Sequence, residues 1–128
     1  MNGFCLGVAF SVIHAMIPAT SLTLAWTHSV EHLRWEEDYA IRDGKLVITA
    51  ARVQGNGAGM EPEANAVRSG DWWEYKPTLP PLSKITFANS DFTADYTLCA
   101  NGKCQKLGAL LGSAERNKPI DLFPCPVK

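Results

Sequence analysis

Within HSVEHLRWEE, His28 to Glu37, the same residues can be read as two different chemistries. His28, Glu31 and His32 follow the H-x-x-E-H spacing of inverted zinc peptidases. That arrangement holds and activates a metal only if the three side chains ride one face of a helix. Its downstream ligand would have to be Glu115, the only distant candidate near helix-like sequence. Read as a β-hairpin, the same letters set His28 beside Glu37, and no metal is implied.

Periodicity chooses between the two. Leu22, Leu24, Trp26, His28 and Val30 alternate with Thr23, Ala25, Thr27, Ser29 and Glu31. Trp35, Glu37, Tyr39 and Ile41 then alternate with Glu36, Asp38, Ala40 and Arg42. A period of two is a strand signal. The helical competitor, Val30, Leu33, Glu37, Ala40 and Ile41, puts a glutamate in its apolar stripe and leaves out Trp35 and Tyr39. Asp43-Gly44 then predicts a type I′ turn into KLVITAARV, so three antiparallel strands are expected in succession.

Facing-strand arithmetic turns those strands into a candidate site. A turn at His32-Leu33 opposes Leu24 to Ile41, Trp26 to Tyr39 and His28 to Glu37. The Asp43-Gly44 turn opposes Ile41 to Leu46, Tyr39 to Ile48, Glu37 to Ala50 and Trp35 to Arg52. An imidazole, a carboxylate and a guanidinium are thus expected together on an otherwise apolar face, where an unpaired charge is costly. The plain reading is an internal ion-pair network that sets the sheet register. The functional reading adds the glycine-rich loop after Val53, whose bare backbone can receive a small carboxylate or phosphate. The candidate ligand-binding set is His28, Ser29, Glu37, Arg52, Gly57, Ala58, Gly59, Met60 and Glu61. No catalytic set is expected: Ser29 points away from His28 on a strand, and there is no G-x-S-x-G elbow. No cofactor and no metal site are expected.

The surrounding chain supplies the frame. Its 128 residues suit one domain. Twelve Lys plus Arg against thirteen Asp plus Glu give a net charge of -1 without like-charge runs, which argues against nucleic acid or an anionic membrane surface as partner. Residues 1–19 carry no Asp, Glu, Lys or Arg and end in small residues after Pro18. They read as a secretory signal peptide with cleavage after Ala19, the competing readings being an uncleaved membrane anchor or a first buried strand. Cys5 is not a lipoprotein site, since Phe4 stands where a small residue is needed. The mature part, 20–128, is read as a single β domain, periplasmic or otherwise exported.

Asn101-Gly102 is a second type I′ signal, and it places Cys99 opposite Cys104 in a non-hydrogen-bonded pair with Cα atoms about 4.5 Å apart. A Cys99–Cys104 disulfide in an oxidising compartment is predicted, with a pair of reduced thiols or a metal site as the alternatives. Cys125 is then left over, either free or competing for one of them, because Cys5 would leave with the signal. Paired Trp72 and Trp73 and the proline-rich TLPPLSK segment suit sheet-edge packing or a contact surface. KITFANS and ADYTLCA read as further strands, CQKLGALLG as a strand or short turn, and PIDLFPCPV as an extended tail. The sum is an all-β fold, an antiparallel β-sandwich or open barrel built from hairpins.

LAWTHSVE, the glutamate of WEED, GKLVITAARVQGNGAGMEP, WWEYKPTLPPL and LCANGKC together resemble a bacterial family filed among the domains of unknown function under number 1850. The likeness spans roughly residues 22 to 111, and its pattern matches here at His28, Ser29, Glu37, Arg52, Gly57, Ala58 and Gly59. It implies an exported accessory protein of a TAXI-type tripartite ATP-independent periplasmic (TRAP) transporter. Such a protein would bind a small organic anion, or dock to the receptor or the permease. A purely structural interaction module and a zinc-dependent hydrolase are the alternatives.

Overall fold

The structure, a computed structural model, describes residues 2–8, 13–27, 33–55, 65–88, 96–112 and 117–126. Eleven strands and one short helix are found among the described residues: β1 Asn2–Val8, β2 Ile13–Ile17, β3 Ser21–Thr27, β4 Arg34–Arg42, β5 Lys45–Gln54, β6 Val67–Ser69, β7 Trp72–Tyr75, β8 Ile85–Phe87, β9 Thr97–Ala100, β10 Lys103–Lys106, α1 Leu107–Leu111 and β11 Ile120–Pro126. They form two antiparallel sheets, one of four strands in the order β2-β1-β11-β8 and one of seven in the order β10-β9-β3-β4-β5-β7-β6. The fold is the expected all-β sandwich, and neither sheet closes into a barrel.

Phe4, Leu6, Ile120 and Leu122 of the small sheet and Leu22, Leu24, Tyr39, Leu46, Ile48 and Leu98 of the large one fill the space between the layers. Leu107 and Leu111, one helical turn apart on α1, join them. Full burial of side chains of this size contributes about 1.5–3 kcal/mol each.

Both predicted tight turns are present. Asp43 and Gly44 have φ of 52° and 73°, and Asn101 and Gly102 have 56° and 75°, the paired left-handed conformations of type I′. Cys99 faces Cys104 in the ladder, and the two form a disulfide with Cα atoms 4.0 Å apart. The helix competing for residues 30–41 is excluded over Arg34–Arg42, which is strand.

Two register expectations are corrected. Strands β3 and β4 pair Trp26 with Trp35 and Leu24 with Glu37, four residues displaced from a turn at His32-Leu33. The stacked indoles of Trp26 and Trp35 (centroids 6.2 Å apart, planes within 8°) and the Thr23 hydroxyl donating to Asp38 (2.7 Å) hold this alignment. Between β4 and β5 the arithmetic holds from Arg42↔Lys45 to Tyr39↔Ile48, then slips by one, so Asp38 faces Ala50 and Glu36 faces Arg52. A bulge at Thr49 absorbs the extra residue, and its hydroxyl donates to the Asp38 carbonyl at 3.3 Å.

In the uncleaved chain the apolar opening segment forms strands. β1 lies between β2 and β11, with Phe4, Cys5 and Leu6 fully buried. β11, read as a tail, is an interior strand of the small sheet. Cys125 is not left over, because it forms a disulfide with Cys5 across 120 positions of sequence, with Cα atoms 5.9 Å apart. In the chain-entropy account a crosslink over that span stabilises by about 5 kcal/mol, and one closing a six-residue loop by about 2. Denaturant titration of the oxidised Cys5→Ala/Cys125→Ala protein should therefore show roughly twice the stability loss of Cys99→Ala/Cys104→Ala. Peptide mapping under non-reducing conditions should recover the Cys5–Cys125 pair.

Candidate functional site

The alternation along β3, β4 and β5 sorts their polar side chains onto two faces with different chemistry. On the inner face Trp26, Trp35, Glu37 and Tyr39 follow one another across β3 and β4. Tyr96, just before β9, lies against Trp26 (ring centroids 5.7 Å apart) and against Phe87 of the small sheet (4.6 Å). A row of aromatic rings therefore spans both layers at one end of the sandwich. Glu37 stands on the same face, and its carboxylate accepts the Tyr39 hydroxyl at 2.8 Å. Burial raises both phenols above the ordinary tyrosine range, and the Glu37 charge raises them further. Among the described residues Glu37 has no cationic partner. The indole N–H groups of Trp35 and Trp73 are buried without an acceptor.

On the outer face Arg52 is surrounded by acids. Its Nε donates to Glu36 (3.0 Å), Nη2 to Asp38 (2.7 Å), and Nη1 to Asp38 (2.8 Å) and Glu74 (3.2 Å). Four of the five guanidinium N–H donors are thus used. Arg34 adds a bond to the second oxygen of Glu36 at 3.1 Å. The fork on Asp38 is the bidentate geometry that makes such pairs strong. The Arg52 bonds, with help from Thr23 and against some desolvation, hold the Asp38 carboxyl below its ordinary range. The same bonds raise Arg52.

A groove of about 490 Å³ lies on the outer face beside this cluster, lined in part by Ser21, Thr23, Asp38, Thr49 and the Cys99–Cys104 pair. The Asp38 carboxylate and the Thr23 and Thr49 hydroxyls are already engaged within the protein.

Of the sequence-derived set, Glu37 and Arg52 are described, and the structure does not bring them together. The bulge at Thr49 turns Arg52 to the outer face, while Glu37 stays inside. His28, Ser29, Gly57, Ala58, Gly59, Met60 and Glu61 lie outside the described residues, as do Glu31, His32 and Glu115 of the zinc reading. The loop containing five of them leaves the sheet at Gly55, whose N–H donates to the Asp71 carbonyl at 2.7 Å. A Cβ on Gly55 would come within 3.2 Å of Leu33, so the departures of the two connections are adjacent. Sequence reasoning missed Glu36, Asp38 and Glu74 as partners of Arg52. Glu36 and Asp38, two positions apart, share a strand face and were the signal available. It also missed the aromatic row, although Trp26, Trp35 and Tyr96 each carry inward parity.

A family model described as "Domain of unknown function (DUF1850)" matches residues 22–107. The chain belongs to this family. No curated protein and no solved structure matches it. The matched span of this DUF1850 chain contains the aromatic row, Glu37 and the whole Arg52 cluster, and begins after β1 and β2.

The Arg52 cluster gives a pH test. Asp38 has a folded pKa below its ordinary 3.8, so its contribution is complete above 3.8 and is lost as pH falls through the lower folded value. Arg52→Ala removes that dependence and leaves three carboxylates facing one another. Urea titrations should show a loss of about 1–3 kcal/mol at neutral pH, between the values for exposed and buried pairs. The variant should also lose much less stability than the wild type below pH 4.

Proposed function

We propose that this DUF1850 protein is an exported accessory component of a TAXI-type TRAP transporter. It docks to the receptor or the permease through the end of the sandwich that carries the aromatic row. One observation carries the reading: strand ends of both sheets converge at that end. They include Val8, Ile13, Thr27, Arg34, Gln54, Phe87, Thr97 and Ile120. The opposite end carries the tight turns Asp43-Gly44 and Asn101-Gly102 and the segment 76–84, whose Leu82 exchanges two 2.8 Å backbone bonds with Leu46. A rigid sandwich that presents several connections at one end is a common way to build a recognition surface.

The transporter association comes from the family resemblance, and the two disulfides support an oxidising compartment. Small-anion binding at Arg52 gains no support from the geometry, since its donors are occupied by carboxylates. Cleavage after Ala19 would remove β1, β2 and Cys5 together and strip β11 of one neighbour. Amino-terminal sequencing of the exported protein decides whether those strands stay.

A second reading, an interaction module built on the β6–β7 edge, is favoured by the exposure of Val67 (67%) and Leu79 (56%). Arg68 there lies over the Trp73 ring, 5.2 Å from its centroid. Interferometry with purified receptor and purified permease separates the two. Docking through the aromatic end predicts at least about a tenfold affinity loss, roughly 1.4 kcal/mol, for Thr27→Arg or Leu33→Arg, with Lys103→Glu at the far end unchanged. A loss on Val67→Asp with Thr27→Arg silent would favour the β6–β7 edge. No binding to either component rejects the accessory role.

A further inference from the structure

We propose that Glu37 and the aromatic row of Trp26, Trp35, Tyr96 and Phe87 form a binding site for a small organic cation with an alkylated ammonium head. This inference is independent of the docking reading, because it concerns the chemistry of the inner face and not a partner protein.

Three features carry it. The first is an uncompensated charge: a half-buried carboxylate on an apolar sheet face, bonded to one neutral hydroxyl and paired with no cation among the described residues. Taking a carboxylate partly out of water is costly unless an opposite charge offsets it. The outer face shows how fully this chain can satisfy acids when it supplies its own cation, with one guanidinium serving Glu36, Asp38 and Glu74. Glu37 receives no such partner among the described residues.

The second feature is the company the carboxylate keeps. Trp35 precedes it by two residues on the same face, Trp26 stacks on Trp35, and Tyr96 and Phe87 continue the row across to the small sheet. Aromatic faces attract cations through their quadrupole, by about 0.5–2 kcal/mol for each well-placed ring, tryptophan most strongly. The same rings repel anions, as Glu37 does. The third feature is access. Trp26, Trp35, Glu37, Phe87 and Tyr96 are all half-buried, unlike Leu24 and Leu98 in the next row, so ring surface and carboxylate are open at this end.

The donor count decides the kind of cation. A primary ammonium brings three N–H donors and needs acceptors for them. Among the described residues the inner face offers one carboxylate at this end, already accepting a hydroxyl, and otherwise ring faces and aliphatic walls. An alkylated ammonium has few or no N–H groups to satisfy and covers its charge with methyl groups that pack against rings. It therefore suits this lining better than a lysine-like head.

The test uses the full chain with choline and with 3,3-dimethylbutan-1-ol, the neutral isostere in which carbon replaces the ammonium nitrogen. Indole N–H resonances and tryptophan emission are followed at constant ionic strength. Choline should saturate and bind at least about tenfold more tightly than the isostere, as expected for a charge facing ring quadrupoles and a carboxylate. Glu37→Gln should cut choline affinity about tenfold without lowering the melting temperature, and Trp26→Leu should weaken it while Trp72→Leu does not. Equal response to choline and isostere, or no saturation in the millimolar range, overturns the proposal. Because that comparison is made on the unsubstituted protein, it holds even if a variant fails to fold.

Discussion

A single extra residue in β5 determines what each face of the large sheet can do. Side chains on a strand alternate, so a bulge exchanges the faces of everything beyond it. Thr49 is that residue. Before it, Leu46 and Ile48 point into the core opposite Ile41 and Tyr39; after it, Ala51 and Val53 point inward and Arg52 points out. Without the bulge the guanidinium would enter the sandwich near Trp35 and Glu37, and Glu36 and Asp38 would lose their cation. The two faces are electrostatically separate because of one slipped rung.

The separation leaves the faces in opposite conditions. Outside, charges are numerous and nearly saturated: Arg52 bridges three acids, Arg34 takes a further oxygen of Glu36, and Thr23 takes one of Asp38. Partial exposure moderates the worth of each pair, but the shared partner ties β4, β5 and β7 together as one network. Inside, among the described residues, one carboxylate stands beside a row of aromatic rings and is bonded to a phenol. The outer cluster acts on the fold, and the inner arrangement is the one with unused capacity.

Much of this architecture can be read from residue order, and the failures have identifiable causes. Alternation from Leu22 to Ile41, together with Asp43-Gly44 and Asn101-Gly102, encodes three consecutive strands, two type I′ turns and the Cys99–Cys104 pair, because these are local choices of dihedral and parity. Register across the β3–β4 connection is not local. Matching apolar to apolar favours Trp26 against Tyr39, whereas stacking of like rings and the Thr23–Asp38 bond select Trp26 against Trp35. The bulge leaves no mark in VITAAR, since Thr49 and Ala50 both suit a strand. The pairing of β1 with β11 is hidden for a different reason: an uncharged apolar opening has the same composition whether it leads a chain out of the cell or forms a core strand. Only the partnership of residues 2–8 with residues 120–126, remote in sequence, distinguishes the two.

That remote partnership orders events in time. Pairing β1 with β11 and joining Cys5 to Cys125 brings together residues 120 positions apart, so these are among the least local contacts of the fold and carry a large closure entropy. The hairpins at Asp43-Gly44 and Asn101-Gly102 join strands adjacent in sequence and need no such closure before they form. The large sheet can therefore assemble from neighbouring segments, while the small sheet waits on an encounter between distant ones, which makes closing the sandwich the slow stage of folding.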